Sequence, residues 1–323
     1  MSTAKKSSRI LWFDVARGVA LIAMAIYHFT WDLEFFGYVP SGMTAVGGWK
    51  IFARSIASSF LLLVGISLFL AHRKGVNWPS FWRRFAMVAG AALAITVVTY
   101  IATPGSFIFF GILHQIAFAS LAGLLFLRAP PLLTILVGIS VIVLPLVFRT
   151  PLLDSMATYW LGLAEQRLRS NDFVPVFPFF GAVLVGMGLA GIAKQRGVLL
   201  RLAAFQPGRW SRPLAFIGQH SLAFYLIHQP VLIGIVWLVA QFVPPSPEIR
   251  QINFLRSCTM ACESRQSAQF CAQYCPCVSK GMFEDPAKPA PATQSPEFTE
   301  LLQEQVLLCT ASTEIMFPEE KIE

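Results

Sequence analysis

Charge is what this chain has least of. Only 13% of its 323 residues are Asp, Glu, Lys or Arg, while 55% are hydrophobic and the mean hydropathy is +0.62. That deficit excludes a soluble globule and fits a protein whose helices cross a bilayer. Cysteine is absent before Cys258, so all six thiols belong to the C-terminal part. A small-residue cleavage site is missing at the end of the first apolar run. That run carries Asp14 and Arg17 and is expected to stay as a helix rather than leave as a signal peptide. Internal repeats are missing too. The five histidines show no spacing of a metal or haem ligand set, so no metal is expected.

What is present is a series of apolar stretches of spanning length, about 17–25 residues each. They fall at 10–30, 50–71, 81–101, 106–127, 131–148, 175–193 and 214–241, giving an all-α, polytopic helical bundle with seven expected spans. Pro230 is expected to kink the last of them. Lys and Arg set the orientation. Thirteen lie in one set of loops: three up to Arg9, then Arg73, Lys74, Arg83, Arg84 and Arg128, and five from Lys194 to Arg212. The opposite set holds five, namely Lys50, Arg54, Arg149, Arg167 and Arg169. The amino terminus is therefore expected in the cytoplasm and the carboxyl-terminal tail outside. Trp12, Trp31, Trp49, Trp78, Trp82, Trp160 and Trp210 lie near span ends, as an aromatic belt requires. The net charge of +8 is mostly loop bias. It implies contact with anionic lipid or substrate phosphate, and no nucleic acid.

Two domains are expected, a membrane domain at 1–243 and a polar, cysteine-rich tail at 244–323. In the outer loop 149–174, the stretch 152–168 alternates at helical spacing and predicts a helix lying along the interface. In the tail, Cys258-x3-Cys262 and Cys271-x3-Cys275 form twin pairs at helical spacing, with Cys277 and Cys309 beside them. Two short helices with such pairs can be stapled by two disulfides; a thiolate metal site is the competing reading, and an outside tail favours disulfides. Residues 284–298 have the composition of a disordered segment.

Charged side chains in hydrocarbon cost a few kcal/mol each and mark a partner or a task. Arg17 and His28 are eleven residues apart, so about 20° apart around a helix and roughly 16 Å along it. Asp14 stands three residues before Arg17, and Asp32 four after His28. Arg17 either pairs with Asp14 alone or, held by it, offers its fork of donors to a phosphate or thioester carbonyl. Asp32 can hold one ring nitrogen of His28 and leave the other as a base, which acyl transfer needs. By depth along their helices, His28, His114 and His228 converge on one layer, and His114-Gln115 and His228-Gln229 are candidate pocket-lining pairs. Read without chemistry, the same buried Asp14, Arg17 and histidines fit a transporter or flippase path.

The run Asp14-x2-Arg17-Gly18-x9-His28 resembles the first helix of membrane-bound acyltransferases. Together with Phe109-Phe110-Gly111-Ile112-Leu113-His114, Asp172-Phe173-Val174-Pro175 and Gly218-Gln219-His220-Ser221, it makes residues 9–243 similar to bacterial members of the heparan-α-glucosaminide N-acetyltransferase catalytic-domain family. The resemblance implies acyl transfer from acetyl-CoA, entering from the cytoplasm, to a glycan amine or hydroxyl on the far side of a bacterial inner membrane. His28, Asp32, Arg17 and Asp14 are then the expected catalytic group. His114, Gln115, His228, Gln229 and Asp172 are expected on the acceptor, and Arg73, Arg83, Arg84, Arg209 and Arg212 on the phosphates of coenzyme A. The expected partners are the bilayer and a glycan-like or small-molecule acceptor, and a homodimer is admitted. One departure accompanies the likeness. The lysosomal enzyme has its catalytic histidine in the luminal segment after the first helix, whereas no histidine occurs here between residues 29 and 71.

Overall fold

The computed structural model describes residues 10–166, 169–284 and 295–316. Among the described residues there are twelve α-helices and no strand. Contacts divide the chain into two units. The first comprises the chain up to Ile26 with Ile51–Pro230, and the second Tyr27–Lys50 with the chain from Val231 onward. α1 (Leu11–Phe35), α9 (Ser221–Ala240) and, by its first four residues, α2 (Gly47–His72) contribute to both.

In the first unit, α6 (Val176–Gln195) is apolar all round and mostly buried, the pattern of a central helix. Its Val183, Leu184 and Met187 form a core with Leu61 and Leu68 of α2 (Gly47–His72) and with Ile112 and Ala119 of α4 (Ile112–Ala122). Glycines let backbones touch, as membrane helices require when no water drives them together. Gly65 lies on the Val183 carbonyl and Gly186 on the Leu62 carbonyl, joining α2 to α6. Gly138 of α5 (Pro131–Val147) and Gly181 of α6 meet in the same way. So do Gly18 of α1 and the Leu214 carbonyl, and Gly218 and the Asp14 carbonyl, where α8 (Arg212–Gln219) crosses α1. α3 (Trp78–Ala102) starts at Asn77, whose side chain accepts the Ser80 N–H at 3.2 Å, and exposes most of its apolar surface.

Five helices are long and apolar enough to span: α1, α2, α3, α6 and α9. Two of the seven expected spans are shorter. The stretch 106–127 begins its helix only at Ile112, because 103–111 is taken up by a turn at Pro104–Ser106 and an extended Gly111. Pro131–Val147 has 17 residues. The stretch 214–241 breaks at His220 into α8 and α9 rather than at Pro230, which lies inside α9. No interfacial helix forms at 152–166. That part holds two short turns, Pro151–Leu153 and Tyr159–Leu161, and residues 167–168 lie outside the described residues. Hydroxyls compete with helix formation there, Thr158 Oγ1 donating to the Leu153 carbonyl at 2.8 Å and Thr150 Oγ1 accepting the Leu152 N–H at 3.3 Å. α7 (Val198–Ala204) completes the unit.

In the second unit, three helices follow α9: α10 (Pro247–Glu263), α11 (Ala268–Phe283) and α12 (Pro296–Met316). Each begins at a serine, Ser246, Ser267 or Ser295, whose hydroxyl accepts a backbone N–H of the first turn. Cys258–Cys275 and Cys262–Cys271 staple α10 to α11, and Cys277–Cys309 ties α11 to α12. Their Cα separations of 5.7–5.8 Å are those of ordinary disulfides. Val278, Met282, Phe298 and Cys309 are the core of this bundle. Of the stretch 284–298, residues 285–294 lie outside the described residues, and Pro296 already opens α12.

Candidate functional site

The first unit encloses a cavity of about 1250 Å³, beyond the roughly 300–1,000 Å³ of ordinary small-molecule sites. Its walls are α1, α2, the start of α3, α4, α7 and the junction of α8 with α9. Among the described residues lining it, five are basic, Arg17, Arg73, Lys74, Arg83 and Arg84, and one, Asp14, is acidic. Arg73 and Lys74 follow the end of α2, and Arg83 and Arg84 lie in the second turn of α3. One end of the cavity is thus strongly positive, through four cations on two neighbouring elements.

Arg17 stands further in. Its Nη1 donates to Asp14 Oδ1 at 2.7 Å, and its Nη2 donates to the Ser67 hydroxyl, which donates in turn to the Leu63 carbonyl at 2.6 Å. Asp14 is fully buried, and Arg17 shows 17% of its side chain to the cavity side. Holding the guanidinium on two helices fixes its plane, so little rotamer entropy is left to lose when a ligand binds. Beyond Ser67, α2 contributes Val64, Phe60 and Ile56, and α4 adds Ile112, Leu113 and Ile116, all apolar. His220, Ser221 and Tyr225 line the wall at the α8–α9 junction. The Nδ1–H of His220 donates to the Phe216 carbonyl at 2.9 Å, and the ring packs on Phe216.

Other residues singled out from the sequence have different duties. Asp172 is half-buried; its Oδ2 accepts the Ile112 N–H at 3.0 Å and the Tyr225 hydroxyl at 3.3 Å, tying loop 169–175 to α4 and α9. Burial raises its carboxyl above the ordinary range, and these two donors counter part of that rise. His114 caps its own helix. Its Nδ1 accepts the Gly111 N–H at 3.2 Å, so Nε2 carries the proton and donates to Thr96 Oγ1 at 3.1 Å. Gln115 is fully buried in α4. The Nδ1–H of His228 donates to the Tyr225 carbonyl at 2.7 Å, which puts the lone pair on Nε2; Gln229 follows it in α9. Arg209 and Arg212 are exposed and lie outside the cavity lining.

His28 and Asp32 belong to the second unit. His28 is half-buried, edge-on to Tyr27 at 5.7 Å, and Asp32 is fully buried one turn on. Ser67, Lys74, His220 and Tyr225 are the cavity residues that sequence reasoning passed over. Lys74 adjoins Arg73, His220 lies in the quoted Gly218–Ser221 run and Tyr225 stands four residues beyond it, so a signal existed for them. Ser67, fifty residues from Arg17, gave none. Among the described residues no three His, Cys, Asp or Glu side chains gather as metal ligands.

The model of the family described as heparan-alpha-glucosaminide N-acetyltransferase, catalytic, matches residues 9–230. No curated protein and no solved structure matches the chain.

Proposed function

From the membership of this chain in the heparan-alpha-glucosaminide N-acetyltransferase catalytic family, we propose that it transfers an acetyl or other short acyl group from acyl-CoA to an amine or hydroxyl of a glycan-like acceptor. The family suggests membrane acyltransferase activity, and the apolar helices agree with a membrane protein. The observation that carries the donor assignment is the basic cavity of the first unit. Arg73, Lys74, Arg83 and Arg84 suit the phosphates of coenzyme A, which bind cations through charge-assisted hydrogen bonds. Arg17, braced by Asp14 and Ser67, supplies donors for the acyl-pantetheine arm or its thioester carbonyl. Developing negative charge on that oxygen is what such prearranged donors stabilise.

His28 is the general base in this reading, supported by the Arg17-x10-His28 spacing and by Asp32 one turn on. The acceptor N–H or O–H gives its proton to the imidazole as its nitrogen or oxygen bonds to the acyl carbon. The C–S bond breaks, and coenzyme A leaves as a thiolate that takes up a proton. Asp172 and His114 frame the site by holding α4 and Tyr225. The cytoplasmic placement of the basic mouth and the outer placement of the tail are supported by the loop charges and by the three disulfides. A bacterial inner membrane meets both conditions.

The test uses purified protein in nanodiscs with labelled acetyl-CoA and a mixed glycan extract, comparing wild type with Arg17→Ala and His28→Ala. Thioester loss and label transfer that require both residues are expected. Absence of acetyl-CoA binding to the wild type refutes the enzyme reading and turns it to transport.

A further inference from the structure

The tail lies outside the family match, and no step above uses it, yet it is tied to the loop that follows α1, whose Thr44 carbonyl accepts the hydroxyl of Tyr27, the residue before His28, at 3.5 Å. α1 ends at Phe35, and the loop 36–46 turns at Gly37 (φ +78°) and Gly42 (φ +75°), where glycine adopts left-handed backbone without strain. From one side Glu34 of α1 holds this loop. Its carboxylate accepts the Gly42 N–H at 2.6 Å and the Thr44 N–H and hydroxyl at 2.8 Å. From the other side α10 holds it. Asn253 Oδ1 accepts the Ser41 N–H at 2.7 Å, and Asn253 Nδ2 donates to the Val39 carbonyl at 3.3 Å. The Arg256 guanidinium donates to the Ser41 carbonyl, and the Tyr38 hydroxyl to the Val243 carbonyl. One asparagine amide therefore satisfies a donor and an acceptor of the same loop backbone, as a neighbouring strand would. Glu34 itself stands two residues after Asp32.

A helix of 17 residues with low apolar content is marginal alone in water. α10 has no fully buried residue and packs on the tail core through the half-buried Phe254, so the staples add to a thin interface. Cys258–Cys275 and Cys262–Cys271 supply them, starting two residues after Arg256.

We propose that the disulfide-stapled tail is a positioning element for the loop that follows α1, with Asn253 and Arg256 as the positioning residues. Its role in transfer rests on the reading of His28 as the base: the loop it orders bounds the acceptor's approach to His28. Loss of the staples or of the Asn253 amide frees the loop without altering the donor cavity.

The full chain in nanodiscs is followed by hydrogen exchange with and without dithiothreitol, as wild type, Asn253→Ala, Asn253→Asp and Arg256→Ala. Exchange over residues 36–46 is expected to rise roughly two- to tenfold per bond lost, with α4 and α6 unchanged. Asn253→Asp keeps the bond from the Ser41 N–H and should fall between wild type and Asn253→Ala. Acetyl-CoA affinity should stay constant while transfer to glucosamine slows or its KM rises, a split that general destabilisation does not produce. Unchanged exchange after both reduction and Asn253→Ala overturns the proposal. A loosened loop with unchanged transfer overturns the positioning role. If the wild type neither binds nor consumes acetyl-CoA, the enzyme reading fails, and the exchange data still decide whether the tail holds the loop.

Discussion

Replacing Gly218 by alanine tests whether the α1–α8 crossing sets the site. A Cβ at this position would meet the Asp14 carbonyl carbon at 2.8 Å and the Gly18 nitrogen at 3.0 Å. Carbon atoms in contact prefer about 3.5–4.0 Å, so the two backbones must part by roughly 1 Å. Neither obstacle is the free end of a flexible side chain, so relief has to come from moving α1 or α8. Overpacking of this kind costs about 1–3 kcal/mol of stability. The second consequence is chemical. Asp14 moves with its own carbonyl, and Arg17 is bonded to Asp14 at 2.7 Å. Misplacing a positioning group by about 1 Å can cost on the order of 100-fold in rate. Gly90→Ala is the matched control, since a Cβ there meets nothing within 4 Å, and in a helix alanine is favoured over glycine by about 1 kcal/mol. Thermal unfolding in nanodiscs and acetyl-CoA consumption are measured on both. Gly218→Ala should lose both stability and turnover, and Gly90→Ala neither. A Gly218→Ala protein with wild-type turnover would refute the claim that this crossing positions Arg17.

The remaining expectations concern single groups. Because burial raises the folded-state carboxyl of Asp172, its contribution to stability is fully present below the unfolded carboxylate pKa and is lost as pH rises through the raised value. Asp172→Asn keeps an acceptor for the Ile112 N–H and the Tyr225 hydroxyl, so the difference in melting temperature between variant and wild type should shift in the variant's favour as pH rises above the ordinary carboxylate range. Equal profiles for the two would contradict it. Arg84→Ala should raise the acetyl-CoA KM about three- to tenfold with little change in kcat, and added salt should shrink the difference, as expected for one cation among several at a solvated mouth. Cys309→Ser opens a disulfide spanning 32 residues and should cost the tail about 2–4 kcal/mol in chemical unfolding, leaving the spectroscopic transition of the membrane helices in place.

The Asp14–Arg17 pair could be read from its spacing because both partners lie on one helix, where three residues bring side chains together. Arg73, Arg83 and Arg84 were readable for a different reason: charges flanking a short turn between two spans have to share one face of the membrane. Ser67 was invisible, since its place beside Arg17 is decided by how α1 and α2 pack. The histidines show the converse error. Depth along the helix singled out His114 for a pocket, but at three residues from Gly111 its ring is taken up by the local cap. The helix break at His220, ahead of Pro230, has a tertiary reason as well. Just before His220, α8 is locked against the α1 backbone by Gly218 on the Asp14 carbonyl and by Gly18 on the Leu214 carbonyl, and the helix ends there.

These glycines also explain why a cavity of this size persists beside a close-packed core. On α2, the lining residues Phe60, Val64, Ser67 and Ala71 lie about 100–160° around the helix from Gly65. The glycine face is drawn onto the Val183 carbonyl until the backbones touch, and α6 does the same against α5 through Gly181 and Gly138. The cavity side of α2 carries Phe60 and Val64, and the neighbouring helices line the cavity with the bulky Phe13, Met24, Met87 and Ile116. Helices zipped by glycine along one seam cannot also close on the other without losing the backbone contacts that hold α2 to α6. The place of the cavity beside Arg17 thus follows from where glycine does and does not occur on α1, α2 and α8.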